Sequence, residues 1–213
     1  MVLGEIENYL EDDWNDNSLT NRSANEEGYF LHPSDNLVAN SDVEAGDVLK
    51  GVYRPDWTIE IGTPSASNNR LELPNASSTS QAVKTPSEFT AGLCSFDRTL
   101  NSSTSTGAFR FNIIKEDSNN WWADNLDAGN PHEGLAKKES GTFSQVISTG
   151  SGGSVGTNTH SIKITRDSYG RWEYSKNGTS QGTTTDTFLP TPIIVNIGSY
   201  TDSIVYVDNL VIK

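Results

Sequence analysis

The stretch Asn119-Asn120-Trp121-Trp122-Ala123-Asp124-Asn125 sets two adjacent tryptophans among amides and a carboxylate. A saccharide site needs that mix: an aromatic face for the C–H side of a sugar ring and polar groups for its hydroxyls. Neighbouring residues of a strand face opposite ways, so one of Trp121 and Trp122 belongs to the core. The other lies on the sheet surface or rim, either as a platform or as ordinary packing against a loop. On the preceding apolar run, Arg110, Asn112 and Ile114 share the face opposite to Phe109, Phe111 and Ile113 and can line the same surface. The candidate ligand-binding set is therefore Trp121, Trp122, Asn120, Asp124, Arg110 and Asn112.

Hard-cation binding is a second chemistry the residues allow. In residues 204–212 (IVYVDNLVI), period-two alternation puts Ile204, Tyr206, Asp208, Leu210 and Ile212 on one face and Val205, Val207, Asn209 and Val211 on the other. A polar residue then intrudes on an apolar face and needs a partner or a metal. Calcium asks for several oxygens, and Asp208, Glu11 and Asp12, with Asp13 beside them, supply carboxylates if the first and last strands meet. The alternative is that Asp208 accepts backbone amides or pairs with an arginine.

Catalytic patterns are scarce. A glycosidase needs two carboxylates facing one bond, and two apart on a strand is the spacing that achieves this. Glu5-Ile6-Glu7 has the spacing but sits in an acidic, solvated run, while Glu60 and Glu72 each stand alone on their strands. His32, His132 and His160 have no second ligand at zinc spacing, and no nucleophile elbow, phosphate loop or dinucleotide fingerprint occurs. The single cysteine, Cys94, lies in Leu93-Cys94-Ser95-Phe96 and reads as a small core residue. Four Asn-x-Ser/Thr sequons begin at Asn21, Asn75, Asn101 and Asn177, a number that a Ser/Thr-rich chain reaches by chance.

The elements that must position these groups are strands. Near the C-terminus the runs 160–166, 171–175, 193–197 and 204–212 alternate in polarity, and Asp167-Ser168-Tyr169-Gly170 and Lys176-Asn177-Gly178 provide turns. Asn-Gly is the strongest short hairpin signal. Upstream, 57–61 and 70–73 read as one hairpin, 109–114 and 121–126 as another, and 143–147 as a further strand. Shorter strands are expected at 29–31 and 48–53. Residues 4–14 carry Ile6, Leu10 and Trp14 at a spacing of four, which predicts a short helix or turn ending near Trp14. Loops are expected at 101–107 and 148–159, the latter rich in Gly and Ser.

The chain has 213 residues, 33% of them hydrophobic, with a net charge of −13. These values fit one large all-β domain, 1–213, with a turn-rich N-terminal extension (1–56) and a sandwich body (57–213). No fixed-period repeat points to a propeller or solenoid. The charge disfavours nucleic acid and anionic membrane surfaces as partners, and suits either an ordinary solvated surface or life in concentrated salt. There is no apolar segment for membrane insertion and no basic, apolar leader for the Sec route, so if the protein works outside a cell, arrival by lysis, assembly or a larger precursor is expected.

Several blocks resemble a known family. They are 10–22 (LEDDWNDNSLTNR), 53–60 (YRPDWTIE), Thr85-Pro86-Ser87 followed by Ser95-Phe96-Asp97, Phe109-Arg110-Phe111, Thr165-Arg166-Asp167, Trp172-Glu173, 182–187 (GTTTDT) and Asp208-Asn209-Leu210-Val211. Together they make the chain similar to concanavalin A-like (laminin-G-like) jelly-roll domains of halophilic archaea and their tailed viruses. That resemblance implies a jelly-roll sandwich of two antiparallel sheets and a lectin-type module on the virion surface. As a tail fibre, spike or head-surface protein it would be a homo-oligomer beside other virion proteins and would bind host surface glycans. Residues 25–49 and 148–159 depart from the family pattern. Two other readings stay open: a structural virion protein without glycan binding, and an extracellular glycan-processing enzyme.

Overall fold

The computed structural model describes residues 8–12, 14, 19, 30–31, 37–38, 51–53, 57–74, 80–87, 89–101, 108–127, 132–149, 158–200 and 204–212. In chain order its strands are β1 (Asn8–Asp12), β2 (Phe30–Leu31), β3 (Leu37–Val38), β4 (Gly51–Tyr53), β5 (Thr58–Ile61), β6 (Ser65–Ser67), β7 (Arg70–Leu73), β8 (Gln81–Pro86) and β9 (Gly92–Asn101). They continue as β10 (Ala108–Lys115), β11 (Trp121–Asp127), β12 (His132–Glu139), β13 (Thr142–Ser148), β14 (Thr159–Arg166), β15 (Arg171–Lys176), β16 (Thr179–Thr185), β17 (Ile194–Tyr200) and β18 (Ile204–Ile212). Two sheets pack face to face as a jelly-roll sandwich. One runs β16-β15-β14-β9-β18-β1-β4, with β7 and β6 appended at β18, and the other runs β13-β12-β11-β10-β17-β8-β5. Among the described residues all pairings are antiparallel except β1 with β4, which is parallel.

Local chemistry explains the tight connections. Asn177-Gly178 between β15 and β16 has φ of 51° and 75°, and Asn68-Asn69 between β6 and β7 has 53° and 56°. Two positive φ values are what a type I′ turn requires, and its twist matches that of the flanking strands. The Asn68-Asn69 turn also corrects an expectation: β7 folds back on β6, while β5 pairs with β8 in the other sheet, so 57–61 and 70–73 are not one hairpin. The hairpin of β10 with β11 forms as expected.

The expected N-terminal helix is a strand over the described part of that segment. A spacing of four is also an even number, so Leu10 and Trp14 share a face in a strand as readily as on a helix. β1 pairs antiparallel with β18, Leu10 opposite Ile212 and Asp12 opposite Leu210, and the first and last strands therefore do meet. Residues 4–7 lie outside the described residues.

The core between the sheets holds Trp14, Trp57, Phe96, Phe109, Phe111, Trp122, Trp172 and the aliphatic residues around them. Trp122 and Trp172 stack with centroids 4.4 Å apart, and Cys94 is fully buried among them. Burial and the Asp124 carboxylate push the Cys94 thiol well up, so it stays protonated and inert.

Candidate functional site

β10 and β11 present two different faces. On β11, Trp122, Asp124 and Leu126 point into the sandwich, and Trp121, Ala123 and Asn125 point outward. On β10 the register slips between Asn112 and Ile114, so Ile113 and Ile114 both turn into the core and Lys115 comes to lie opposite Trp121. The bulge thus corrects the expected grouping of Arg110, Asn112 and Ile114: Arg110 and Asn112 are on the outer face, and Lys115 replaces Ile114 there.

A hydrogen-bonded line crosses this outer face. Asn112 Nδ2 donates to Asn196 Oδ1 (2.8 Å), and Asn196 Nδ2 donates to Glu60 Oε2 (2.7 Å) and to the Val83 carbonyl (3.1 Å). Lys84 Nζ lies 3.6 Å from one Glu60 oxygen and Lys115 Nζ 3.9 Å from the other. Arg110 donates from Nε to Asn125 Oδ1 (3.1 Å), and its guanidinium carbon sits 4.5 Å from the Trp121 ring centre. Asn112 and Asn196 are 2% and 1% exposed, and Asn112 Oδ1 has no donor among the described residues. A buried acceptor without a donor costs about 1–3 kcal/mol. Burial pulls the Lys115 ammonium pKa down; Glu60 opposes this, and Lys84 and Arg110 push it down further.

The other expected ligand residues are elsewhere. Trp122 is core, its indole N–H donating to the Phe188 carbonyl (3.0 Å). Trp121 is the outward-facing member of the pair, but at 3% exposure under Arg110 and beside Phe143 it is no open platform. Asn120 pins two turns together: its Nδ2 donates to Asp117, and its Oδ1 accepts the Ser140 amide (3.0 Å).

Asp124 is fully buried, because alternation places it on the face of Trp122 and Leu126. One carboxylate oxygen is 2.9 Å from Arg98 Nε, and the other accepts the Tyr174 hydroxyl (2.7 Å). Arg98 Nη2 also reaches Glu133 (2.8 Å), which in turn meets Lys176 Nζ (2.6 Å). Burial raises the Asp124 carboxyl despite Arg98 and Tyr174. For Arg98, burial acts downward, but Asp124, Tyr174 and Glu133 reverse it and the net shift is upward.

Asp208 owes its position to a second bulge. Between Asp208 and Val211 the pairing with β9 gains one residue, and Asn209 adopts φ 52°. Val205, Val207, Leu210 and Ile212 are therefore buried, and Asp208 faces out, so the expected polar intrusion on an apolar face does not occur. Asp208 Oδ1 accepts the Asn209 amide (2.8 Å). No group of three or more His, Cys, Asp or Glu side chains gathers among the described residues, and the side chains of Glu11 and Asp12 lie outside them.

Sequence reasoning missed Glu60, Lys84, Lys115, Asn125 and Asn196. Asn196 inside the apolar run Ile193-Ile194-Val195-Asn196-Ile197 was the one usable signal; the cross-strand line could not be read without the register.

No protein-family model and no curated protein sequence matches the chain. Solved structures match the fold. The chain is similar to the carbohydrate-binding module CBM66 from Bacillus subtilis (TM-score 0.55, 16% identity, 72% of this chain and 92% of that one). It is also similar to a Bacillus subtilis protein of unknown function with a galectin-like fold (TM-score 0.52, 14% identity, 73% and 88%). The apo Crh5 transglycosylase is a third (TM-score 0.54, 14% identity, 74% and 78%). At these identities the likeness defines the fold class, a lectin-type jelly roll, and nothing finer.

Proposed function

We propose that the chain is a non-enzymatic saccharide-binding module on the virion surface of a haloarchaeal virus, gripping host glycans with the outer face of its seven-stranded sheet. The observation that carries this is the hydrogen-bonded line Asn112–Asn196–Glu60, beside Arg110 on Trp121. Amides and a guanidinium pair with hydroxyls in fixed geometry. The fold shared with a carbohydrate-binding module supports the ligand class. A transglycosylase shares the fold too, but in the line described here Glu60 is a lone carboxylate among the amides Asn112, Asn125 and Asn196, whereas glycosyl transfer uses a pair. Asp124 and Glu133 are held inside by Arg98 and Lys176. The virion setting rests on the family resemblance and on the charge of −13. Because Trp121 is covered, recognition runs through hydrogen bonds more than stacking, and several copies together supply avidity.

The test is saturable binding of the purified protein to haloarchaeal envelopes in concentrated salt. Binding lost on deglycosylation, and in Asn112→Ala, supports the proposal; no binding by folded protein overturns it.

A structural virion protein is the second reading, favoured by Ile59 and Ile61, 47% and 44% exposed on the edge strand β5, and Ile193, 50% exposed. Apolar side chains on an open edge suit packing against another subunit. Light scattering decides: if Ile59→Lys with Ile61→Lys dissociates an oligomer and glycan binding is absent, this reading prevails.

A further inference from the structure

We propose that the saccharide received on this face is anionic, carrying carboxylate or sulfate groups that dock on Lys84 and Lys115. The proposal rests on the reading of the face as a glycan site and adds the charge of its ligand.

Charge complementarity is the first argument. The chain carries 28 acidic and 15 basic residues, so its overall field repels anions. Around Glu60 the balance inverts: Lys84 and Lys115 flank its one carboxylate, one ammonium at each oxygen. Lys84 and Arg110 both act on Lys115 as like charges, and Lys84 and Lys115 share the Glu60 carboxylate. Crowding of like charge is costly, and an anion entering among them relieves it.

Geometry is the second. Glu60 Oε2 makes its short hydrogen bond to Asn196 (2.7 Å), not to a lysine. The two ammonium groups stand 3.6 and 3.9 Å from its oxygens, within ion-pair range but beyond hydrogen-bond length. Their N–H donors are therefore not spent on Glu60 and can close on an incoming oxyanion. Side-chain exposures of 38% for Lys84 and 17% for Lys115 leave both reachable from solvent. Anionic oxygen docking on the lysines of a face read as a glycan site describes a uronate or a sulfated sugar.

The experiment measures affinity of the full chain for polygalacturonate, dextran sulfate and neutral dextran, with folding checked by tryptophan fluorescence in each condition. Wild type is expected to bind one or both anionic polymers about tenfold tighter than dextran, and less tightly as salt rises. Lys84→Gln with Lys115→Gln removes that preference, whereas Lys163→Gln, on the outer face of the other sheet, keeps it. Glu60→Gln retains an acceptor for Asn196 while deleting the internal counter-charge, so anion binding tightens severalfold; a misfolded variant would not gain affinity. Equal binding of dextran and the anionic polymers, lost in Asn112→Ala, overturns the charge inference and keeps the glycan reading. Binding of no polymer overturns both, and anion binding unchanged by the double lysine change overturns the assigned place.

Discussion

Arg98 and Asp124 meet in the middle of the sandwich, Nε 2.9 Å from Oδ2, with side chains 2% and 0% exposed. One comes from β9 in the nine-stranded sheet and the other from β11 in the seven-stranded sheet, so this contact joins the two layers. Tyr174 and Glu133 occupy further donors and acceptors of the pair, and Lys176 completes the charge balance at Glu133. Two buried charges gain little net stability over apolar residues, but either one alone is strongly unfavourable.

Asp124→Ala is therefore expected to lower the unfolding free energy by about 3–5 kcal/mol, measured by urea denaturation. Arg98→Met combined with Asp124→Leu should cost less than either single change. A double variant no better than the worse single one would show that the pairing is not the source of the loss.

Glu133 gives the network a pH dependence. Burial alone would raise its carboxyl, but Arg98 and Lys176 outweigh burial and hold it below the ordinary 4.5. With the folded value lower than the unfolded one, the folded state binds fewer protons. The contribution is whole above the unfolded value and fades as pH falls through the folded value. Asp124 works against it: its carboxyl is raised above 3.8, so the stability it withholds at neutral pH returns as pH falls towards that value. Urea titrations from about pH 6 to 3 should show wild type losing stability on the acid side, and Glu133→Gln losing less. Parallel curves for the two proteins would remove Glu133 from the account.

Strands with a single buried face were legible in the sequence: β14, β15 and the hairpin of β10 with β11 follow from alternation and turn residues. β12 was not, because Glu133, Gly134, Leu135 and Ala136 are all buried and the run shows no period of two. β16, Thr179–Thr185, has no apolar residue to mark it. Within the site, alternation separated Trp121 from Trp122 but could not show that Arg110 roofs the outer ring. Asp124 was placed on the wrong side because its polarity outweighed a phase shared with Trp122 and Leu126. Both bulges were invisible: each hides one extra residue, and counting in twos past it inverts every later assignment.

The bulge in β18 makes a deletion testable. Asn209 is the extra residue, so removing it brings Leu210 opposite Phe96 and leaves Val207, Leu210 and Ile212 facing inward. The variant should fold with the same sheets and lose about 1–2 kcal/mol, chiefly the hydrogen bond from Asn209 Nδ2 to Asp97 (2.8 Å). Deleting Tyr206 instead turns Val205 outward and should abolish cooperative melting. If both deletions behave alike, the register described for β18 is wrong.

The same bulge bears on calcium. Asp97 and Asp208 are cross-strand partners, a pairing that like charge disfavours unless donors intervene. Asn209 supplies two, its amide to Asp208 and its side chain to Asp97, and the Ser161 hydroxyl donates to the other Asp97 oxygen. Arg70, its guanidinium carbon 3.5 Å from the Tyr206 ring centre, lines the same shallow depression as both carboxylates. Protein donors already answer the carboxylates, so their arrangement does not require a cation. Excess chelator should then leave the melting temperature unchanged. A site saturated a hundredfold over its dissociation constant would add about 2.7 kcal/mol, several degrees for a domain of this size. A fall of that order, reversed by calcium and absent in Asp208→Asn, would return the ion to Asp208 with Glu11 and Asp12.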